Sequence, residues 1–151
     1  MESLLIVGSD VSKGYSDFVL LNANKDVLEP RFRLDDTASG HEQLTQQLLG
    51  WKKQYRAKRI LLVAESTGGY EDNWLRITRE VSLRKFVETY RINPKIIHHE
   101  YQAQRRHSID DGVSAQTIAE HVAKNLDQFH PADQSKDKPY RAARSLIRHL
   151  V

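Results

Sequence analysis

Ile60-Leu61-Leu62-Val63-Ala64-Glu65-Ser66-Thr67-Gly68-Gly69-Tyr70 decides the fold. Five apolar residues follow Arg59, run into a carboxylate and end at a glycine pair. An apolar run of this length, bounded by a charge and a turn signal, reads as a strand buried on both faces. Such strands lie in the middle of parallel or mixed sheets. Glu65 then stands at the strand's C-terminal end, where open α/β sheets keep their sites. A carboxylate there is costly unless it is solvated, paired or bound to a cation. The alternative roles for Glu65 are a helix cap or an edge ion pair.

Outward from this strand, the N-terminal side reads as a run of short strands. Leu4 to Val7 reads as a buried strand ending at Gly8-Ser9-Asp10, with Val11-Ser12-Lys13-Gly14 as the turn. Tyr15 to Leu21 is a second strand, rich in strand formers. Asn22 to Asp26 has the composition of a hairpin loop. Val27 to Leu34 is a third strand, and Pro30 assigns it to a sheet edge or a bulge. Next, Thr37 or Ser39 caps a helix whose apolar stripe is Leu44, Leu48, Trp51 and Tyr55. The basic run from Lys52 to Arg59 suits the negative end of its dipole.

On the C-terminal side, a helix begins near Tyr70 or Glu71 and carries Trp74, Ile77 and Val81. Lys85 to Tyr90 is a fifth strand. Asn93-Pro94 starts a helix, with Asn as cap and Pro at the first helical position. Another helix is expected from about Asp110 to Asn125, with Val113, Ile118, Ala119 and Val122 facing a core. A polar linker and a last helix, Tyr140 to Val151, follow. The order β-β-β-α-β-α-β-α describes an α/β fold: a mixed five-stranded sheet flanked by helices, the ribonuclease H-like arrangement, plus a C-terminal helix. Residues 1–125 are read as one domain and 126–151 as a linker and the start of a helical region.

Composition narrows the class. The chain has 151 residues, 39% hydrophobic and 28% charged, enough for a real core. Its net charge of +3 is compatible with a nucleic-acid partner without requiring one. Basic residues cluster at Lys52 to Arg59, at Arg105 and Arg106, and at Arg141, Arg144 and Arg148; each cluster alone reads as a solvated helix face. There is no cysteine, so disulfides and thiolate metal sites are excluded. No apolar run is long enough to span a membrane and no leader-like segment opens the sequence, so a cytoplasmic location is expected.

In the ribonuclease H-like arrangement the first and fourth strands are parallel neighbours, which sets Asp10 beside Glu65. A third acid must come from a late helix near that end of the sheet, and Asp110 and Asp111 open such a helix. Residues three apart share a helix face, so Asp111 and Ser114 look the same way. Carboxylates gathered this closely repel unless a cation sits among them. Hard oxygen donors select Mg2+ or Mn2+. Two such ions roughly 3.5–4 Å apart hold the attacking and leaving oxygens of a phosphodiester displacement. Taken singly, Asp10 reads as a turn residue, Glu65 as a cap and Asp111 as a first-turn acid.

These residues also resemble a family. Gly8-Ser9-Asp10-Val11-Ser12-Lys13 is similar to the opening Gly-x-Asp-Val-Ser-Lys of the DEDD transposases, the insertion-sequence recombinases that include the pilin-gene invertase and the bridge-RNA-guided recombinases. Glu65-Ser66-Thr67-Gly68-Gly69-Tyr70 resembles their Glu-x-Thr-Gly-x-Tyr. Asn93-Pro94 matches an Asn-Pro after the fifth strand. Arg105 through Ala115, with Ile118 and Ala119, resembles their Lys-Thr-Asp-x-x-Asp-Ala-x-x-Ile-Ala. The resemblance implies a RuvC-like domain whose acidic tetrad binds divalent metal and cuts or joins DNA. Carried over, the tetrad is Asp10, Glu65, Asp111 and the position of Ser114. It further implies DNA as partner, a structured guide RNA in some members, and a homo-oligomer in full-length form. Lys13, Arg105 and Arg106 are candidate nucleic-acid contacts.

Two departures stand out. Serine occupies the fourth acid position, and Ile109-Asp110 replaces the Lys-Thr before the third acid. A neutral hydroxyl is a poor substitute for a carboxylate and weakens the second metal site most, while Asp110 points about one residue away around the helix. Family members also continue into a C-terminal domain carrying a nucleophilic serine, so this chain is expected to be the metal-binding half of a recombinase. The alternatives are a catalytically impaired nucleic-acid-binding module and a stand-alone nuclease of the ribonuclease H or junction-resolving type.

Overall fold

The computed structural model describes residues 3–95 and 111–129, with side chains from Ala115 onward in the second segment. Five strands form one sheet in the order β3-β2-β1-β4-β5. The strands are β1 (Leu4–Ser12), β2 (Tyr15–Asn22), β3 (Val27–Asp35), β4 (Arg59–Glu65) and β5 (Val87–Ile92). β1, β2 and β3 pair antiparallel, while β4 is parallel to both β1 and β5. The central strand is therefore β1, with β4 beside it, and β3 with its Pro30 is an edge. Register shifts against β2 near Leu20 accommodate that edge.

Helix α1 (Ala38–Tyr55) covers one face. Thr37 caps it by accepting the Gly40 N–H at 3.0 Å, and Arg56 closes it with φ of 53°. Its Leu44, Leu48 and Trp51 pack with Leu5, Val7, Phe18, Ile60 and Leu62. Helix α4 (Asp111–Lys124) covers the other face, where Ala115, Ile118, Ala119 and Val122 meet Ile6, Val19, Leu61 and Val63. β1 and β4 thus bury side chains on both faces, which is why their apolar runs do not alternate.

The segment after β4 differs from expectation. In place of one helix carrying Trp74, Ile77 and Val81, the chain forms α2 (Glu71–Leu75), a 3-10 turn at Arg76–Arg79 and α3 (Val81–Arg84). Trp74 and Ile77 are buried, whereas Val81 is 60% exposed. The break falls at Glu80, whose ψ of 132° is not helical. Asp10 also lies inside β1 rather than after it. Pairing with β2 continues to Ser12 opposite Tyr15, leaving only Lys13 and Gly14 for the turn, and Gly14 takes φ of +89°. The Tyr140–Val151 helix and the 126–151 region beyond Phe129 lie outside the described residues. Among the described residues no helix is long and apolar enough to cross a membrane.

One glycine sets how close α4 comes to the sheet. A Cβ at Gly8 would lie 2.1 Å from the Ala115 carbonyl oxygen and 2.9 Å from the Ala119 Cβ. The obstruction is backbone, so either the helix or the strand has to move. Gly8→Ala is expected to lose at least about 2 kcal/mol of unfolding free energy, as overpacking does. Urea denaturation checks this, and a stability equal to wild type removes the close approach from the account.

A candidate acidic site at the ends of the central strands

The parallel register runs from Leu4 beside Arg59 to Ser9 beside Ala64. One residue further on, Asp10 comes beside Glu65, the last residue of β4. Both belong to the face covered by α4, since Ile6 and Gly8 precede Asp10 at period two, as Leu61 and Val63 precede Glu65. Both are partly buried and both have interaction partners.

The direction of α4 follows from its two ends. Just beyond its C-terminus, the Phe129 carbonyl accepts a hydrogen bond from Arg59 Nη2 at 2.6 Å, at the beginning of β4. The helix therefore runs antiparallel to β1 and β4, and its N-terminus lies toward Asp10 and Glu65. Ala115 sits over Gly8. From Ala115 back to Asp111 is about 6 Å of helix, and from Gly8 on to Asp10 is about 6.7 Å of strand. Position 111 therefore lies toward the Asp10 end of the sheet, and Ser114 lies in the same first turn. The side chains of Asp111 and Ser114 lie outside the described residues, as do Arg105, Arg106 and the histidines His98, His99 and His107. Lys13 is exposed in the hairpin turn, and Tyr70 is 43% exposed rather than packed. Arg59, counted in a basic cluster by sequence, has a structural role: its guanidinium grips both Glu88 oxygens at 2.7 Å.

Two groups escaped the sequence reading. The first is Asp17 in β2, directly opposite Asp10 and so on the same face. Its side chain is fully buried and held by Arg33 of β3 through Nε at 2.9 Å and Nη2 at 3.1 Å. One level of the sheet therefore carries Arg33, Asp17, Asp10, Glu65 and, on β5, Ile92. The two-residue turn at Lys13-Gly14 was the available signal, because it fixes Asp17 opposite Asp10 once the strands are known to run to Ser12 and Tyr15.

The second group secures the loop after Glu65. Ser66 N–H donates to the Ile92 carbonyl at 3.1 Å. Gly68 and Gly69 take φ of +79° and +114°, open only to glycine without strain. The buried Glu71 accepts from Thr67 N at 3.1 Å, Thr67 Oγ1 at 3.0 Å and Gly69 N at 3.2 Å, all on Oε1. Arg91 lies 3.4 Å from its other oxygen, an ion-pair contact rather than a hydrogen bond, and also pairs with Asp72.

The donor set at Asp10 and Glu65 is oxygen only, which suits a hard divalent cation and no soft metal. Among the described residues no group of three or more histidines and acids is gathered to hold a metal. To hold a cation the pair needs a further donor.

The sequence model of a transposase family, DEDD transposases of IS110 type, matches residues 7–150. Among solved structures, T. thermophilus RuvC in complex with a Holliday junction substrate is similar at a TM-score of 0.52 and 10% identity, over 77% of this chain and 90% of that one. At that identity the likeness speaks for the fold, which is ribonuclease H-like of RuvC type, as the element order predicts. No curated protein matches the chain.

Removing the carboxylate that gathers the loop strips three donors of their acceptor. Glu71→Ala is expected to cost about 2–4 kcal/mol and to make the 66–70 loop a site of rapid limited proteolysis. Denaturation and mass spectrometry of the fragments read both effects, and an unaltered cleavage pattern contradicts the assignment.

Proposed function

The chain belongs to the DEDD transposase family of IS110 type and has a RuvC-like fold, and from that premise we propose that it is the phosphodiester-cutting or strand-transferring domain of a DNA recombinase, dependent on Mg2+ or Mn2+ and working in the cytoplasm. The observation that carries the proposal is the meeting of Asp10 and Glu65 on one face at the ends of adjacent parallel strands, with the N-terminus of α4 directed at them.

In this reading Asp10, Glu65 and Asp111 hold the divalent cation, and the cation when bound supplies Lewis acidity toward a phosphoryl oxygen. The rest of the chain contributes rigidity. β1 and β4 fix the two carboxylates to neighbouring strands. The Glu71-capped loop prevents the end of β4 from fraying. The positive end of the α4 dipole lowers the cost of collecting negative charge there. The DNA in the RuvC complex belongs to that protein; for this chain, DNA as substrate is part of the proposal.

Ser114 favours a second reading, in which the domain binds nucleic acid but turns over poorly because the fourth carboxylate is missing. The two readings part on metal affinity. Under the first, Mn2+ titrated calorimetrically against the protein binds at least about tenfold more weakly to Asp10→Ala than to wild type. Identical binding by the two proteins would falsify the metal site.

Under the second reading, Ser114→Asp gains Mn2+ affinity, and wild-type DNA binding survives EDTA while weakening steeply with salt. A Ser114→Asp variant with unchanged affinity removes the serine as the cause of any impairment.

A further inference from the structure

We propose that Arg33 is a phosphate-contacting residue of the acidic site, held in a fixed pose for that contact by Asp17 and Tyr15; the proposal rests on the nucleic-acid reading above and adds a residue to it. Arg33 stands on the edge strand, on the face that carries the acids, because it pairs with Asp17 while its neighbour Phe32 packs into the opposite core. Its guanidinium is pinned twice. Two of its nitrogens grip Asp17 at 2.9 and 3.1 Å. Its Cζ also lies over the Tyr15 ring, 4.1 Å from the centroid.

A fully buried carboxylate requires a partner, so Asp17's need explains the ion pair. It does not explain why Arg33 itself remains 49% exposed. Nor does it require a guanidinium stacked on an aromatic ring at the open edge of the sheet. A guanidinium so held has already lost its rotamer freedom, so a phosphate meets it at little further entropy cost.

Position favours such a contact. Among the described residues, the row that holds Asp17, Asp10 and Glu65 carries one guanidinium, that of Arg33. It stands at the β3 edge, where a polyanionic backbone can meet it. Arg33 is two strand spacings from Asp10, about 10 Å. At about 3.4 Å of axial rise per nucleotide, it reaches a phosphate a few nucleotides from the one at the acids. Its contact therefore aligns the strand and leaves the chemistry to the carboxylates.

The test replaces both members of the pair, Asp17→Asn with Arg33→Gln, so that two amides keep a hydrogen bond and no buried charge is stranded. The full chain and a short duplex DNA are used in EDTA, across a salt series, with circular dichroism and thermal melting to confirm folding. The expected result is about five- to tenfold weaker binding and a log affinity against log salt slope shallower by about one unit. The unaltered protein supplies a second readout. DNA should slow phenylglyoxal modification of Arg33 at least about threefold while sparing the exposed Arg79, read by peptide mass spectrometry. A folded double variant with an unchanged slope overturns the proposal, as does equal modification of Arg33 with and without DNA. In either case the metal site at Asp10 is untouched, because no metal is present. Absence of any DNA binding by wild type, in EDTA and again with Mg2+ restored, brings down both readings together.

Discussion

Like charges at one level of a sheet repel, and this fold is arranged around that repulsion. Asp17 faces Asp10 across an antiparallel pair, and Asp10 comes beside Glu65 across a parallel one. Two unit charges about 5 Å apart cost about 3 kcal/mol at an effective dielectric of 20. The structure answers part of that cost at one end, where Arg33 neutralises Asp17. The dipole of α4 answers another part, its positive end lying over the same level. Asp10 and Glu65 complete the concentration of acids at the mouth of the two central strands, and each has an interaction partner of its own. Under the proposed function a divalent cation is held there.

That concentration depends on α4 running antiparallel to β1 and lying close to it. Gly8 permits the closeness, with the Ala115 carbonyl occupying the space a side chain would take. The far end is secured independently: Arg59 binds Glu88 through both oxygens and donates to the Phe129 carbonyl, and the Tyr90 hydroxyl donates to the same Glu88. The sheet therefore has one end where opposite charges are matched and one where like charges are collected. Stability is drawn from the first and from the two apolar layers, and the proposed function places the chemistry at the second.

Much of this was legible in the residues. The unbroken run Ile60 to Ala64 announces a strand buried on both faces, and Pro30 announces an edge; both are found. Of the two caps that the residues offer, Thr37 and Ser39, the structure uses Thr37, and the stripe Leu44, Leu48 and Trp51 is buried as helical periodicity predicts. Trp74, Ile77 and Val81 suit one continuous helical face, but the non-helical backbone at Glu80 breaks the helix and turns Val81 out to solvent. Asp17 was passed over for a different reason. Its meaning depends on the exact pairing of β1 with β2, and an acid inside a strand declares nothing until the opposite residue is known. Glu71 likewise reads as an ordinary first-turn acid, and only the folded loop makes it the acceptor for Thr67 and Gly69.

The groups that hold Glu65 and the groups that share its chemistry lie on opposite sides of the sheet. Arg91, Glu71 and Asp72 brace the end of β4 from the α1 face, together with Trp74, which packs there. Asp36 joins them from the start of α1, accepting from Asn73 and pairing with His41. None of these contacts uses the face of Asp10. The backbone of the site is consequently fixed whether or not a cation is held, and whatever stands at position 114 leaves that bracing intact. Under the proposed function, fold and family membership persist with a serine at position 114, while the capacity for two-ion chemistry does not. In that reading it is the number of carboxylates on the α4 face, not the sheet that carries them, that separates a cutting domain from a binding one.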